Sequence, residues 1–187
     1  MFTHPFHLHC YEEIRLYVLD YMKKFNTQRL YAERVDLPNK LKQTLEDELE
    51  SYGLPCPSNY LAFKRKNYFR PVLETVHVDY STELIHSSIV LPIENCKGTK
   101  MFWMSGDYSL ETRILPHGDR YQTVIWKSKA EVIEQKEIIE PTLCRVNVPH
   151  DALSNEDGSY RTILSIRLKG NPSFEEVIKQ RFTSTFL

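Results

Sequence analysis

No apolar run in this sequence approaches the roughly 20 residues that a membrane-spanning helix needs, so no membrane partner is expected. Neither sign of charge dominates, with 24 Lys and Arg against 25 Asp and Glu. The chain therefore lacks the basic excess that binding to nucleic acid or to an anionic membrane usually leaves. Cysteine is sparse and scattered: Cys10, Cys56, Cys96 and Cys144 form no CxxC pair. Neither a disulfide framework nor a zinc ribbon is expected, and a reducing cytoplasm is the simplest setting. The opening Met-Phe-Thr-His-Pro-Phe-His has no basic start and no apolar core, so it does not read as a secretory leader. GxSxG, P-loop and GxGxxG signatures are absent, which leaves covalent-hydrolase, nucleotide-hydrolase and dinucleotide readings without support.

What is present is enough chain for one domain with a real core, 187 residues. The first third reads as helical. From Tyr11 to Phe25, Ile14, Tyr17, Val18, Tyr21, Met22 and Phe25 fall on one stripe at three- and four-residue spacing. Leu37-Pro38-Asn39 breaks the chain, and Asn39 or a residue near it is placed to cap a second helix to about Tyr52, with Leu41, Leu45 and Leu49 on one face. Gly53, Pro55 and Pro57 end it.

From about Tyr60 the texture becomes short β-type runs. Eight are expected: Val72–Asp79, Ile85–Ile93, Lys100–Met104, Ser109–Leu115, Tyr121–Trp126, Glu131–Ile138, Leu143–Val148 and Tyr160–Leu168, separated by turn residues. A last helix is expected from Pro172-Ser173 to about Gln180. The organisation is one domain over 1–187, with a helical N-terminal buttress at 1–58, a β core at 60–169 and a C-terminal helix and tail at 172–187. The fold class is mainly β with flanking helices, and strands at this spacing suit a barrel or jelly roll.

The chemistry concentrates in four residues, His77, Asp79, His150 and Arg161. Alternate side chains of a strand share a face, so His77 and Asp79 can reach one metal while Val78 turns away. His150 follows the expected strand Leu143–Val148 across Pro149 and brings a third ligand from elsewhere in the sheet. Two imidazoles and one carboxylate hold non-haem Fe(II) on one face and leave the other open. Arg161 shares a face with Ile163, Ser165 and Arg167. An inward arginine is costly without an anion, and a bidentate carboxylate would meet that need. The plainer alternatives are a chance His-x-Asp and a surface arginine paired with a nearby acid.

With its long β-rich gap, this pattern resembles the Fe(II)- and 2-oxoglutarate-dependent oxygenases, which share a double-stranded β-helix (a jelly-roll, cupin-like barrel) and the order His-x-Asp…His…Arg. Val148-Pro149-His150-Asp151-Ala152 followed by Tyr160-Arg161-Thr162-Ile163-Leu164-Ser165-Ile166 looks most like the prolyl-hydroxylase-like branch. The resemblance covers Tyr60 to Lys169. It implies that His77, Asp79 and His150 bind Fe(II), and that Arg161 pairs with the distal carboxylate of the co-substrate 2-oxoglutarate, with Ser165 as a helper. It also implies a co-substrate contact from Tyr68, with Tyr60 and Tyr80 as further candidates. The implied activity is hydroxylation of an amino-acid, peptidyl or small-metabolite substrate, with succinate and CO2 as co-products. Asp79 occupies the position that related halogenases leave to a small residue. The alkylated-base repair branch has a second arginine six residues after the first, as in Arg161…Arg167, but its intervening asparagine is Ile163 here.

Other groups carry plainer expectations. His4, His7, His9 and Cys10 read as a loose terminus with solvated imidazoles. His86 reads as a wall histidine, His117 as a loop residue, Lys64-Arg65-Lys66 as a solvated face, and Phe102-Trp103-Met104 as core. Two other functions stay open. One is a cupin-type metal enzyme that does not use 2-oxoglutarate, and the other is a non-catalytic β-barrel binding or structural module.

Overall fold

A computed structural model describes residues 1–5, 7–24, 31–65, 73–80, 83–114, 120–153 and 159–184. The strands are β1 (Thr3–Pro5), β2 (Tyr31–Arg34), β3 (Pro57–Arg65), β4 (His77–Asp79), β5 (Ser87–Glu94), β6 (Lys100–Ser105), β7 (Tyr108–Ile114), β8 (Arg120–Trp126), β9 (Glu131–Glu137), β10 (Thr142–Arg145), β11 (His150–Leu153) and β12 (Arg161–Leu168). The helices are α1 (Tyr11–Lys23), α2 (Asn39–Ser51) and α3 (Phe174–Ser184). None is long and apolar enough to cross a membrane, among the described residues.

The strands form two six-stranded sheets, in the orders β1-β10-β5-β12-β3-β2 and β7-β8-β4-β11-β6-β9. Every named pair is antiparallel. The protein is thus mainly β, with two antiparallel sheets and three helices among the described residues, as its composition and turn spacing led one to expect.

Alternation along the strands sorts the side chains into three apolar layers. On the outer face of the first sheet, Ile89, Leu91, Leu143, Leu164 and Ile166 meet Ile14, Val18 and Met22 of α1 and Leu41, Leu45 and Leu49 of α2. These are the helical stripes read from the sequence, and they buttress this sheet. Between the sheets, Val90 and Cys144 of the first meet Met101, Trp103 and Ala152 of the second. The Cys144 thiol lies 4.0 Å from the Met101 sulfur. On the far face of the second sheet, Val76, Val78, Phe102, Met104 and Val124 form a third cluster.

Several boundaries differ from expectation. Among the described residues of the run Val72–Asp79, only His77–Asp79 is strand, preceded by a 3-10 turn at Leu73–Thr75. Leu143–Val148 is not one strand: β10 ends at Arg145, and Val146 carries the chain across to the second sheet. There its N–H bonds the His86 carbonyl and its own carbonyl accepts from the Asp79 N–H. His150 therefore opens a strand of its own, β11, and does not trail the previous one. Asn39 is the first helical residue of α2, not its cap; Pro38 occupies the cap and no side chain bonds there. Proline serves because its carbonyl accepts from Lys42 N–H, the first helical bond, and it has no N–H to leave unpaired. The N-terminus is not loose, because Thr3–Pro5 pairs with β10. His7 and His9 are nonetheless exposed. The stretch read as purely helical also supplies β2 on β3, and β3 itself begins at Pro57. α3 starts at Phe174 behind a capping box: Ser173 Oγ accepts from Glu176 N–H, and Glu176 Oε2 accepts from Ser173 N–H at 2.7 Å. Phe25, Tyr68, His117 and the Lys66 end of the basic triplet lie outside the described residues.

Candidate metal centre

His77, Asp79 and His150 converge on one face of the second sheet. β4 and β11 are neighbours, and His150 stands directly opposite His77 in their register. His150 is also opposite Trp103, whose side chain is in the inter-sheet layer, so all three ligand candidates face that layer. Val78 turns the other way into the third cluster, as period two requires. One coordinating atom from each of the three lies within 4.8 Å of the others. Asp79 Oδ1 is 3.7 Å from both His77 Nε2 and His150 Nε2, and the two rings have centroids 4.6 Å apart.

Both imidazoles are held in the tautomer that a metal needs. His77 Nδ1 lies 3.0 Å from the Thr75 carbonyl and His150 Nδ1 2.8 Å from the Val148 carbonyl. Each ring thus donates its Nδ1–H to a carbonyl two residues upstream and turns a bare Nε2 toward Asp79. The 3-10 turn before β4 and the 146–149 crossing before β11 supply those carbonyls, so the two departures from regular strand are what orient the ligands.

Burial holds the His150 imidazole well below its ordinary range, at about 4. The adjacent His77 adds to the effect, and the Asp79 carboxylate opposes it. His150 is therefore neutral at neutral pH, and its 3.7 Å approach to Asp79 is a meeting of lone pairs, not an ion pair. A metal bound at about 2.1 Å from each nitrogen would need adjacent ligand atoms about 3.0 Å apart in octahedral geometry. The two imidazole-to-carboxylate separations, at 3.7 Å, need to close by less than an ångström. The residues present therefore fit a metal ion.

Two neighbours were not legible in the sequence. Tyr121 is opposite Asp79 in the β4–β8 register, and its ring meets the His77 ring edge-on, with centroids 6.1 Å apart. Thr123 is opposite His77, and its Oγ1 is buried without a hydrogen-bond partner. Their strand was readable; which strand lies beside His77 was not, because β8 and β4 are distant in the chain.

The facing sheet carries the arginine. β12 turns Leu164 and Ile166 to the helices and Ile163 to the inter-sheet layer, so Arg161, Ser165 and Arg167 face inward as the sequence implied. Each is buried. Arg161 is therefore not a surface residue. The Cys144 thiol between the sheets reports on both sides. Burial pushes it up, the Arg161 guanidinium opposes that, and the Asp79 carboxylate reinforces it. Arg161 and Asp79 thus act on one interior.

Ser165 Oγ lies 2.6 Å from Ser88 Oγ, which in turn bonds the Ile166 carbonyl at 3.1 Å. If Ser88 donates to the carbonyl, the Ser165 proton is taken up by Ser88. Tyr60 packs among the helices on the other side of the sheet, which removes it as a co-substrate contact. His86 bonds the Asn147 side chain at 3.0 Å and stands apart from the metal cluster. Trp103 is core, with its Nε1–H on the Arg145 carbonyl.

No family model matches the chain, and no curated protein matches it. Among solved structures it is similar to one described as the X-ray structure of E. coli ycfD, at 12% identity and a TM-score of 0.37. The likeness covers 75% of this chain and 33% of that one, so the chain spans about a third of its length. At this level the likeness assigns neither a fold family nor a function.

Proposed function

We propose that the protein is an Fe(II)- and 2-oxoglutarate-dependent oxygenase of the prolyl-hydroxylase-like branch, built on a double-stranded β-helix. The observation that carries this reading is the convergence of His77 Nε2, His150 Nε2 and Asp79 Oδ1, with both Nδ1 atoms tied back to carbonyls. Such a set leaves half of the metal's coordination open. The barrel reading is supported by strand order: β3 to β6 fall alternately on the first and second sheets, and β9 to β12 alternate in mirror order. The β7–β8 hairpin is then an insertion at one edge.

The residues would divide the work as follows. His77, Asp79 and His150 hold the iron, which, with oxygen and 2-oxoglutarate, supplies the oxidising power to hydroxylate a substrate and yields succinate and CO2. Arg161, buried and charged, pairs with the distal carboxylate of 2-oxoglutarate. The apolar layer of Val90, Met101, Trp103 and Ala152 keeps bulk water away from the site. Asp79 fills the position a halide would need, which favours hydroxylation.

The test is anaerobic addition of Fe(II) and 2-oxoglutarate, reading the weak visible metal-to-ligand charge-transfer band. The band should form in the wild type, weaken in Arg161→Ala at fixed 2-oxoglutarate, and be lost in Asp79→Ala. Metal binding with no band would move the assignment to a cupin-type enzyme that does not use 2-oxoglutarate. No metal binding would leave a non-catalytic β module.

A further inference from the structure

The two sheets end in edges that are finished differently. The first stops at short strands, β1 of three residues and β2 of four. The second stops at β9 and β7, each of seven residues. β9 carries the guards that keep a free edge from pairing. Its register shifts opposite Trp103 and Met104, which leaves Ile133 without a match, and it contains Lys136. β7 has no such guard. Its seven residues include no Lys, Pro or Gly and run in unbroken register with β8. Residues 110–114 are exposed on both faces, so no described part of the fold covers this end of the edge. A free edge offers its row of backbone N–H and C=O groups to another strand.

The side chains say which strand fits. Leu110 and Ile114 keep 39% and 66% of their surface exposed, on the face that carries Val124 and Thr112. Glu111 and Arg113 occupy the other face, both more than half exposed, with Arg113 Nε 3.9 Å from Glu111 Oε1. A pair so exposed contributes little within one chain. Opposed residues of an antiparallel pair share a face, so a strand meeting its own copy is centred on a residue. Centring on Glu111 or Arg113 opposes like charges, and centring on Leu110 sets Glu111 against Ser109. Centring on Thr112 satisfies every position from 110 to 114. Leu110 meets Ile114 of the copy, Glu111 meets Arg113, and Thr112 meets Thr112, while the two-fold axis repeats the first two contacts.

We propose that β7 pairs antiparallel with β7 of a second copy of this chain, centred on Thr112, and joins the two second sheets into one. The row His77, Thr123, Glu111 of one copy then continues into Arg113, Tyr121, Asp79 of the other. A two-fold axis perpendicular to a sheet preserves its faces, so both candidate metal centres lie on the same face of the joined sheet. Five interstrand steps separate them, roughly 24 Å at the usual strand spacing. The pairing covers the exposed Leu110 and Ile114 and asks nothing of the oxygenase reading.

The test follows the mass of the full chain, in chelator, by analytical ultracentrifugation over the micromolar-to-millimolar range. Wild type should form a dimer. Glu111→Arg turns both charged contacts into arginine against arginine, and Arg113→Glu turns them into glutamate against glutamate. Each should weaken the dimer at least tenfold, with the melting temperature of the monomer unchanged because both sites are exposed. Mixed in equal amounts, the two variants should dimerise again with near wild-type affinity, since each supplies the charges that the other lacks. Register is read by disulfide capture in a Cys56→Ser background, which removes the exposed native thiol. Thr112→Cys faces its own copy and should cross-link on mild oxidation. Ile114→Cys, at a widely exposed site, lies about 14 Å along the strand from its copy and should not. The proposal falls if the protein stays monomeric throughout the range, or if either charge reversal dimerises as tightly as wild type. It falls equally if the mixture fails to restore the dimer, or if Ile114→Cys cross-links as fast as Thr112→Cys.

Discussion

Acidifying the metal-free protein should expose His150. Its imidazole is buried against Trp103 and His77 and is held at about 4, against an ordinary value near 6.5. In the unfolded chain the ring takes its proton near pH 6.5; in the folded chain it refuses it until about pH 4. Stability from this group is therefore complete above pH 6.5 and falls as the pH drops, reaching its full loss near pH 4. At 1.36 kcal/mol per pH unit the span is about 3 kcal/mol, and stopping at pH 4.5 gives about 2.5 kcal/mol. The assay is urea unfolding in chelator at pH 7.5 and 4.5, on wild type and on His150→Gln, which keeps a polar side chain and cannot titrate. Wild type should lose about 2.5 kcal/mol more than the variant over that interval. Parallel losses in the two proteins would refute the claim that a buried, neutral imidazole occupies this position.

Three further outcomes follow from the same structure. Asp79→Ala should weaken Mn(II) binding, measured by calorimetry, by more than the roughly 10–100-fold typical of losing an outer-shell partner, with the metal-free melting temperature little changed because Asp79 is partly exposed. Ile14→Ala empties a fully buried site between α1 and the first sheet and should cost about 3 kcal/mol in urea unfolding; a cost below about 1 kcal/mol would contradict that packing. Ser173→Ala removes the capping box of α3 and should cost about 1 kcal/mol, with metal affinity unchanged.

Much of this protein was legible in one dimension. The stripe Ile14, Val18, Met22 and the row Leu41, Leu45, Leu49 located two helices and the faces they bury, because a helical period is a local property. Each of the eight expected β runs contains a strand, with shifted ends. Period two correctly placed His77 and Asp79 on one face with Val78 on the other, and Arg161 on the same face as Ser165 and Arg167. Four strands were missed: the nine-residue β3, and the short β1, β2 and β11; β1 and β2 owe their form to partners far along the chain, β10 and β3. The apolar run 143–148 misled for the same reason: nothing local marks Val146 as the point where the chain changes sheets.

The sequence alone determined the residue types of the candidate site, their spacing along each strand and the inward arginine, all of which follow from short-range alternation. Only the tertiary structure decided that His150 stands opposite His77, that Tyr121 and Thr123 flank them, and that carbonyls of Thr75 and Val148 fix both rings. Register and crossing points depend on which strands meet, and that is settled by burial across the whole chain.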